Sequence, residues 1–174
     1  MPLVNERDVE WTETEHGATH FRRKPLSDAA SGERGRDPDL GCSLYELPPG
    51  KRSWPYHYHS ANEEAIYVIA GHGTIRLVDE ELAIREGDYV ALPADERGSH
   101  RLINDGEEPL RYLAVSTMDE PDVTVYPDSG KFGVFVDSPP GGRGERTLHG
   151  YYRIEDGVSY WTGEEDEGEG EQRD

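Results

Sequence analysis

Only one cysteine, Cys42, occurs in the 174 residues, which excludes an internal disulfide and any metal site built from clustered thiolates. Lysine is nearly as scarce: Lys24, Lys51 and Lys131 are 3 of the 18 basic residues, and the other 15 are arginine. No apolar run reaches the roughly 18 residues from which a membrane-spanning helix is read, and the opening MPLVNERDVE lacks the basic-then-apolar pattern of a secretory signal. Sustained helical periodicity and internal repeats are missing as well. The chain has no GxGxxG after a strand, no GxxxxGK[ST], no GxSxG and no HExxH, so dinucleotide, P-loop, nucleophile-elbow and zincin chemistry lack their motifs. These absences lead to the expectation of a soluble cytoplasmic protein of about one domain.

Negative charge, by contrast, is abundant. Acidic residues number 37 against 18 basic ones, for a formal net charge of -19. Such a field repels nucleic-acid backbones and anionic lipid, so neither nucleic acid nor membrane is an expected partner. Acidity without lysine predicts a halophilic protein, because at about 1 M salt the Debye length falls to about 3 Å and self-repulsion is screened.

Short alternating or apolar runs, separated by Gly, Pro, Asp and Asn, predict strands over 18–24, 42–47, 56–59, 64–70, 74–78, 82–85, 89–92, 100–104, 110–117, 123–126 and 131–136. Strands at this spacing, with no amphipathic helices between them, predict an all-β barrel or sandwich. The organisation expected is an N-terminal arm and surface loop over 1–39, a barrel over 40–136, a C-terminal extension packing on it over 137–162, and an acidic disordered tail over 163–174. That tail holds seven acidic residues and one basic one in twelve, with nothing apolar to bury.

His57 and His59 stand at i and i+2 in WPYHYHS, where strand geometry projects both imidazoles from one face. Glu64 opens the strand EAIYVIA and would return beside them with Ile66 and Val68 on its face; Glu63 competes, since alternation alone does not choose between the two. His100 begins a row with Leu102 and Asn104 on one face. Tyr56, Tyr58 and Trp54 have the opposite parity to the histidine pair and are expected in packing roles. Tyr45, Tyr67 and Tyr89 are candidate pocket walls. Arg76 is read either as an inward anion-binding group or as part of a solvated outer face. His16, His20, His72 and His149 are read as surface residues.

Gly50…His57-x-His59-x4-Glu64-x6-Gly71 resembles the first motif of the cupins, and Gly87-x5-Pro93…His100-x3-Asn104 resembles the second. The likeness spans roughly residues 40–118. It departs from the family pattern in placing six residues rather than five between Gly50 and His57, and in having Asp95 where a glycine usually follows Pro93 with two extra residues before His100; Gly98 is expected to take over the tight backbone position. The resemblance implies a jelly-roll β-barrel and, as in metal-bearing members, a single ion held by His57, His59, Glu64 and His100. It also favours Glu64 over Glu63.

Three imidazoles and a carboxylate suit a divalent transition metal, Fe, Mn, Ni, Cu or Zn. The function expected is metal-dependent chemistry on a small organic molecule, with dioxygenase, decarboxylase and isomerase classes all open. Alternatives are a non-catalytic small-molecule binding or sensing protein, or a metal-free sugar-modifying cupin with His and Tyr as acid and base. The last requires a histidine–carboxylate pair. A homodimer is expected, since cupins commonly pair through barrel edges.

Salt adaptation predicts a higher melting temperature in 2 M than in 0.1 M KCl; equal melting would discard it. Because imidazole binds metal only when neutral, the ion should be lost below about pH 6, and full metal content at pH 4.5 would contradict this ligand set.

Overall fold

The structure is a computed structural model and describes residues 3–32 and 38–164. Its strands are β1 (Thr12–His16), β2 (Thr19–Pro25), β3 (Leu40–Leu47), β4 (Tyr58–His59), β5 (Glu64–Ala70), β6 (His72–Arg76), β7 (Glu81–Arg85), β8 (Tyr89–Leu92), β9 (Arg101–Ile103), β10 (Leu110–Thr117), β11 (Asp122–Tyr126), β12 (Lys131–Val136) and β13 (Leu148–Arg153); one helix, α1 (Leu26–Ser31), follows β2. They form three antiparallel sheets, ordered β1-β2-β3-β10-β5-β8, β13-β12-β11-β4 and β7-β6-β9. The fold is an all-β jelly roll. No helix of the described residues is long and apolar enough to cross a membrane.

Alternation sets the faces. In β5, Ile66 and Val68 are buried while Tyr67 between them is 45% exposed. Across the ladder Ala114 opposes Ile66 and Tyr112 opposes Val68, so β10 sends its own row inward. Ile75, Ile84 and Leu102 from the three-stranded sheet meet Phe21, Leu47, Ile66, Val68 and Leu110 from the six-stranded one. Each such buried side chain contributes about 1.5–3 kcal/mol. The inner row of β11 is instead polar, with Asp122 and Thr124 both buried, and at that end of the barrel the apolar core gives way to a site.

Strands β5, β8, β10 and β12 occupy the ranges expected for them, and the others of the predicted set shift by one or two residues at an end. Two strands lack a sequence signal. β1 is charged and mostly exposed, and it exists through its ladder to β2, with Glu13 Oε1 2.7 Å from His20 Nε2. β13 falls partly in the Pro/Gly-rich stretch 138–150 and pairs at one edge with β12 while most of its residues face solvent, so no buried face imposes a period of two. Within the arm and surface loop expected over 1–39, residues Leu26–Ser31 form α1 instead, and Asp28 is buried there. The acidic tail from residue 165 lies outside the described residues.

Two devices hold the turns that join the barrel strands. Gly71 sits at φ +84 where an added Cβ would meet Pro109 O at 2.6 Å, so the β5–β6 turn needs glycine twice over. Asn104, fully buried, donates from Nδ2 to Leu47 O (2.7 Å) and Glu108 O (2.9 Å) and accepts from Gly106 N (3.0 Å). Its backbone also bonds Lys51 O and Gly50 N, tying the turn after β3 to the end of β9. Asn104→Ala is therefore expected to cost about 3 kcal/mol in urea unfolding, because it strands buried backbone groups; a loss under about 0.5 kcal/mol would show the bonds to be dispensable.

Candidate metal centre

His57 and His100 exchange both backbone hydrogen bonds across an isolated antiparallel bridge: His100 N donates to His57 O (2.9 Å) and His57 N to His100 O (3.3 Å). A directly paired couple presents its side chains on one face, and the ring centroids are 4.7 Å apart. His59, two residues on, returns to the same face, 5.2 Å from His57 by ring centroid. Its place is set by pairing with Thr124 of β11. Glu64 Oε2 lies 3.4 Å from His100 Nε2 and 3.7 Å from His59 Nε2. His57, His59 and Glu64 offer ligand atoms all within 4.8 Å of one another. Glu63 is exposed, on the other face of the strand.

The two extra residues before His100 are taken up by a 3-10 turn over Glu96–Gly98, capped by Asp95, which accepts from Arg97 N. Gly98 is buried against Pro93, whose carbonyl oxygen an added Cβ would overlap. The turn thus absorbs the insertion and delivers His100 opposite His57.

All three imidazoles are tethered through the same nitrogen. His57 Nδ1 lies 2.7 Å from Pro55 O, His100 Nδ1 2.9 Å from Gly98 O, and His59 Nδ1 2.6 Å from Asp122 Oδ2. Acceptors at Nδ1 hold the proton there and leave the Nε2 lone pairs free. Burial pushes His57 well below the usual histidine range, and the neighbouring His100 and His59 push it the same way. Burial likewise lowers His100, against the opposing pull of Glu64. For His59 burial also presses down, but the hydrogen bond to Asp122 and the charges of Glu64 and Asp122 outweigh it, and the ring is raised. Burial presses Asp122 upward, yet its bonds to His59 and Ala61 N hold it below the usual carboxylate range. Three Nε2 atoms beside one carboxylate form a donor set that could hold a divalent cation, which would itself displace the proton that the two carboxylates favour on His59.

The cluster opens into a cavity of about 640 Å³. Tyr45 forms part of its wall, stacked on Tyr112 at 5.1 Å, and Trp54 also lines it, edge-on to Phe21 at 4.6 Å. Tyr67 and Tyr89 are exposed elsewhere, and Arg76 faces outward over Tyr56, paired with Asp128 at 2.6 Å. Cys42 lines the cavity with its thiol pushed up by burial, as befits a small packing residue rather than a nucleophile. His149, expected at the surface, is exposed yet also borders the cavity, its ring 4.9 Å from Phe135.

Asp122, Thr124 and Tyr126 escaped the sequence reading. They alternate along β11, so their common inward face follows from period two once the strand is started at residue 122 rather than 123. Tyr126 stands 5.9 Å from His57 by ring centroid, and burial first, then Tyr151, pushes its phenol upward, so it stays protonated.

Residues 43–116 match the family model described as the cupin domain. An uncharacterized protein of Methanocaldococcus jannaschii is 32% identical over 70 residues, which is 40% of this chain and 54% of that protein; the chain thus spans about half the length of that relative. A putative sugar phosphate isomerase from Acidithiobacillus ferrooxidans is similar in structure at 26% identity, with a TM-score of 0.73 over 91% of this chain and 96% of that one. A sugar phosphate isomerase from a cupin superfamily, from Silicibacter pomeroyi, superposes with a TM-score of 0.73 over 91% and 98% at 20% identity, a likeness of fold. The superpositions extend well beyond 43–116.

Asp122→Asn should leave the barrel folded and weaken the cluster's affinity for a divalent cation by about 10–100-fold, since an outer carboxylate orients and enriches its histidine. Titration of the chelator-stripped variant with Mn²⁺ or Zn²⁺ measures this, and unchanged affinity would mean that Asp122 serves the fold alone.

Proposed function

The chain carries a cupin domain over residues 43–116, and from that premise we propose that it is a metal-dependent enzyme acting on a small organic substrate, its divalent ion held by His57, His59, Glu64 and His100. The observation that carries this reading is the common tether: three imidazoles from two distant segments each commit Nδ1 to an acceptor and keep Nε2 for the space beside Glu64. Side chains arranged merely for packing have no need to agree on one nitrogen. When bound, the ion would polarise a substrate oxygen and orient it.

The chain's own groups supply the rest. Ile66, Leu102 and Ala114 give the cavity apolar walls that displace water from the cluster. The Tyr126 phenol, held protonated close to His57, is placed to donate a hydrogen bond to a substrate atom. Of the dioxygenase, decarboxylase and isomerase chemistries, isomerisation has the best support. It comes from the 26%-identical protein described as a putative sugar phosphate isomerase, whose likeness runs through 91% of this chain.

A second reading is favoured by one specific observation. His59 and the buried Asp122 form a histidine–carboxylate pair at 2.6 Å, which metal-free acid–base chemistry with Tyr126 would require. Elemental analysis of the full chain, purified without chelator, separates the two. About one divalent metal per chain is expected, falling at least tenfold in a His57→Gln/His59→Gln variant. Less than about 0.1 metal per chain after growth in metal-rich medium would overturn the metal reading in favour of the acid–base one.

A further inference from the structure

The cavity that begins at the histidine cluster has a second pole of opposite character. Apart from Glu64 and the histidines, its charged lining consists of Arg23, Arg143, Arg146 and Asp28. Three cations face one anion here, although in the whole chain acidic residues outnumber basic ones by 37 to 18. Asp28 is answered by Arg143, whose Nε lies 3.1 Å from Oδ2. Among the described residues no carboxylate comes within ion-pair distance of Arg23 or Arg146. Outside the cavity Arg22 pairs with Glu46, Arg76 with Asp128, Arg97 with Asp95, Arg111 with Glu6 and Arg153 with Glu155; Arg7, Arg52, Arg85 and Arg101 have no ion pair among the described residues, so what sets Arg23 and Arg146 apart is their place in the wall of the cavity that holds the histidines.

Both guanidiniums are positioned rather than loose. Arg23 shares the inward face of β2 with the buried Phe21 and opposes Tyr45, itself a cavity wall. Its Nη1 lies 3.9 Å from the point where a Cβ would stand on Gly141. Arg146 clamps the same loop, donating from Nε to Ser138 O (2.8 Å) and from Nη2 to Pro139 O (2.8 Å), with its guanidinium 5.2 Å from the Phe135 ring. Its Nη1 makes no hydrogen bond among the described residues. A partly desolvated guanidinium without a counter-ion is unfavourable until an anion arrives, and a sheltered one keeps its attraction in salt that would screen it at the surface.

We infer that Arg23 and Arg146 form a subsite for the phosphate group of a phosphorylated small-molecule substrate whose other end reaches the His57/His59/Glu64/His100 cluster. The inference rests on the enzyme reading above and adds the substrate's class to it. Two guanidiniums match the two negative charges and three acceptor oxygens of a phosphate monoester, whereas a monocarboxylate would leave one cation unanswered. A cavity of about 640 Å³ lies within the range that accommodates a small metabolite.

Isothermal titration of the full chain with inorganic phosphate at constant ionic strength tests the subsite. One site per chain is expected, weakened at least about tenfold in Arg23→Gln, in line with the loss of a charge-assisted bond, while metal content stays at the unsubstituted level. Arg146→Lys, which keeps the charge and part of the clamp, should be intermediate. Arg76→Gln, outside the cavity, should bind as the parent does, and acetate should bind at least about tenfold more weakly than phosphate. Absence of phosphate binding, an affinity within about twofold of the parent in Arg23→Gln, or equal affinity for acetate overturns the subsite. Because phosphate can also ligate a metal, the titration is repeated in the His57→Gln/His59→Gln background. Binding that persists there and still falls with Arg23→Gln supports the subsite even if metal analysis defeats the enzyme reading. Binding that vanishes with the histidines and ignores Arg23 overturns the subsite and leaves the metal reading standing.

Discussion

The two backbone hydrogen bonds between His57 and His100 join segments 43 residues apart in the chain and set the geometry on which the site depends. They fix both imidazoles on one face before any side chain chooses a rotamer. His59 follows by strand alternation and Glu64 by the ladders that place β5 between β10 and β8. The site is therefore largely a product of main-chain pairing. Side-chain hydrogen bonds add only the last decision, which nitrogen of each ring faces inward. Burial favours the neutral form of His57 and His100, and the carbonyl acceptors at their Nδ1 atoms supply the directional bias. His59 differs, because a buried carboxylate rather than a carbonyl holds its Nδ1.

Charge is divided between the outside of the molecule and its cavity. The chain as a whole is acidic, with a formal net charge of -19. The cavity beyond the histidines reverses the sign, and it does so with arginines drawn from β2 and from the segment between β12 and β13. Both segments lie outside the 43–116 span that matches the cupin model. The barrel thus supplies the cluster that could hold an ion, while the flanking segments supply the arginines of the cavity wall. Such a division fits the general rule that one fold serves many chemistries through what is attached to it.

The sequence was most legible where burial is one-sided. In β5 and β10 a wet face alternates with a dry one, and their limits could be read directly; β8 and β12 were equally well marked. β1 and β13 were invisible because neither has a continuous dry face to impose a period, and only ladder formation with a neighbour defines them. The four candidate ligands were legible through motif spacing, and the His57–His59 pair through period two alone. Asp122 was not, because nothing local distinguishes one acid among 37; its meaning is a 2.6 Å contact with a residue 63 positions away. Arg23 and Arg146 were hidden for the same reason, one on an inner strand of mixed polarity and the other in a loop rich in glycine and proline.

By itself the sequence determined the fold class, the acidic character, the absence of a clustered-thiolate site and the type of ligand atoms on offer. Those properties follow from composition and from short-range periodicity, which act within a few residues. Tertiary structure alone decided that Asp122 stands behind His59, and that two arginines with no carboxylate partner among the described residues share the cavity. Each of these depends on strand register and loop closure between distant segments. A register shift of one residue would exchange every inward side chain for an outward one without altering the local sequence at all.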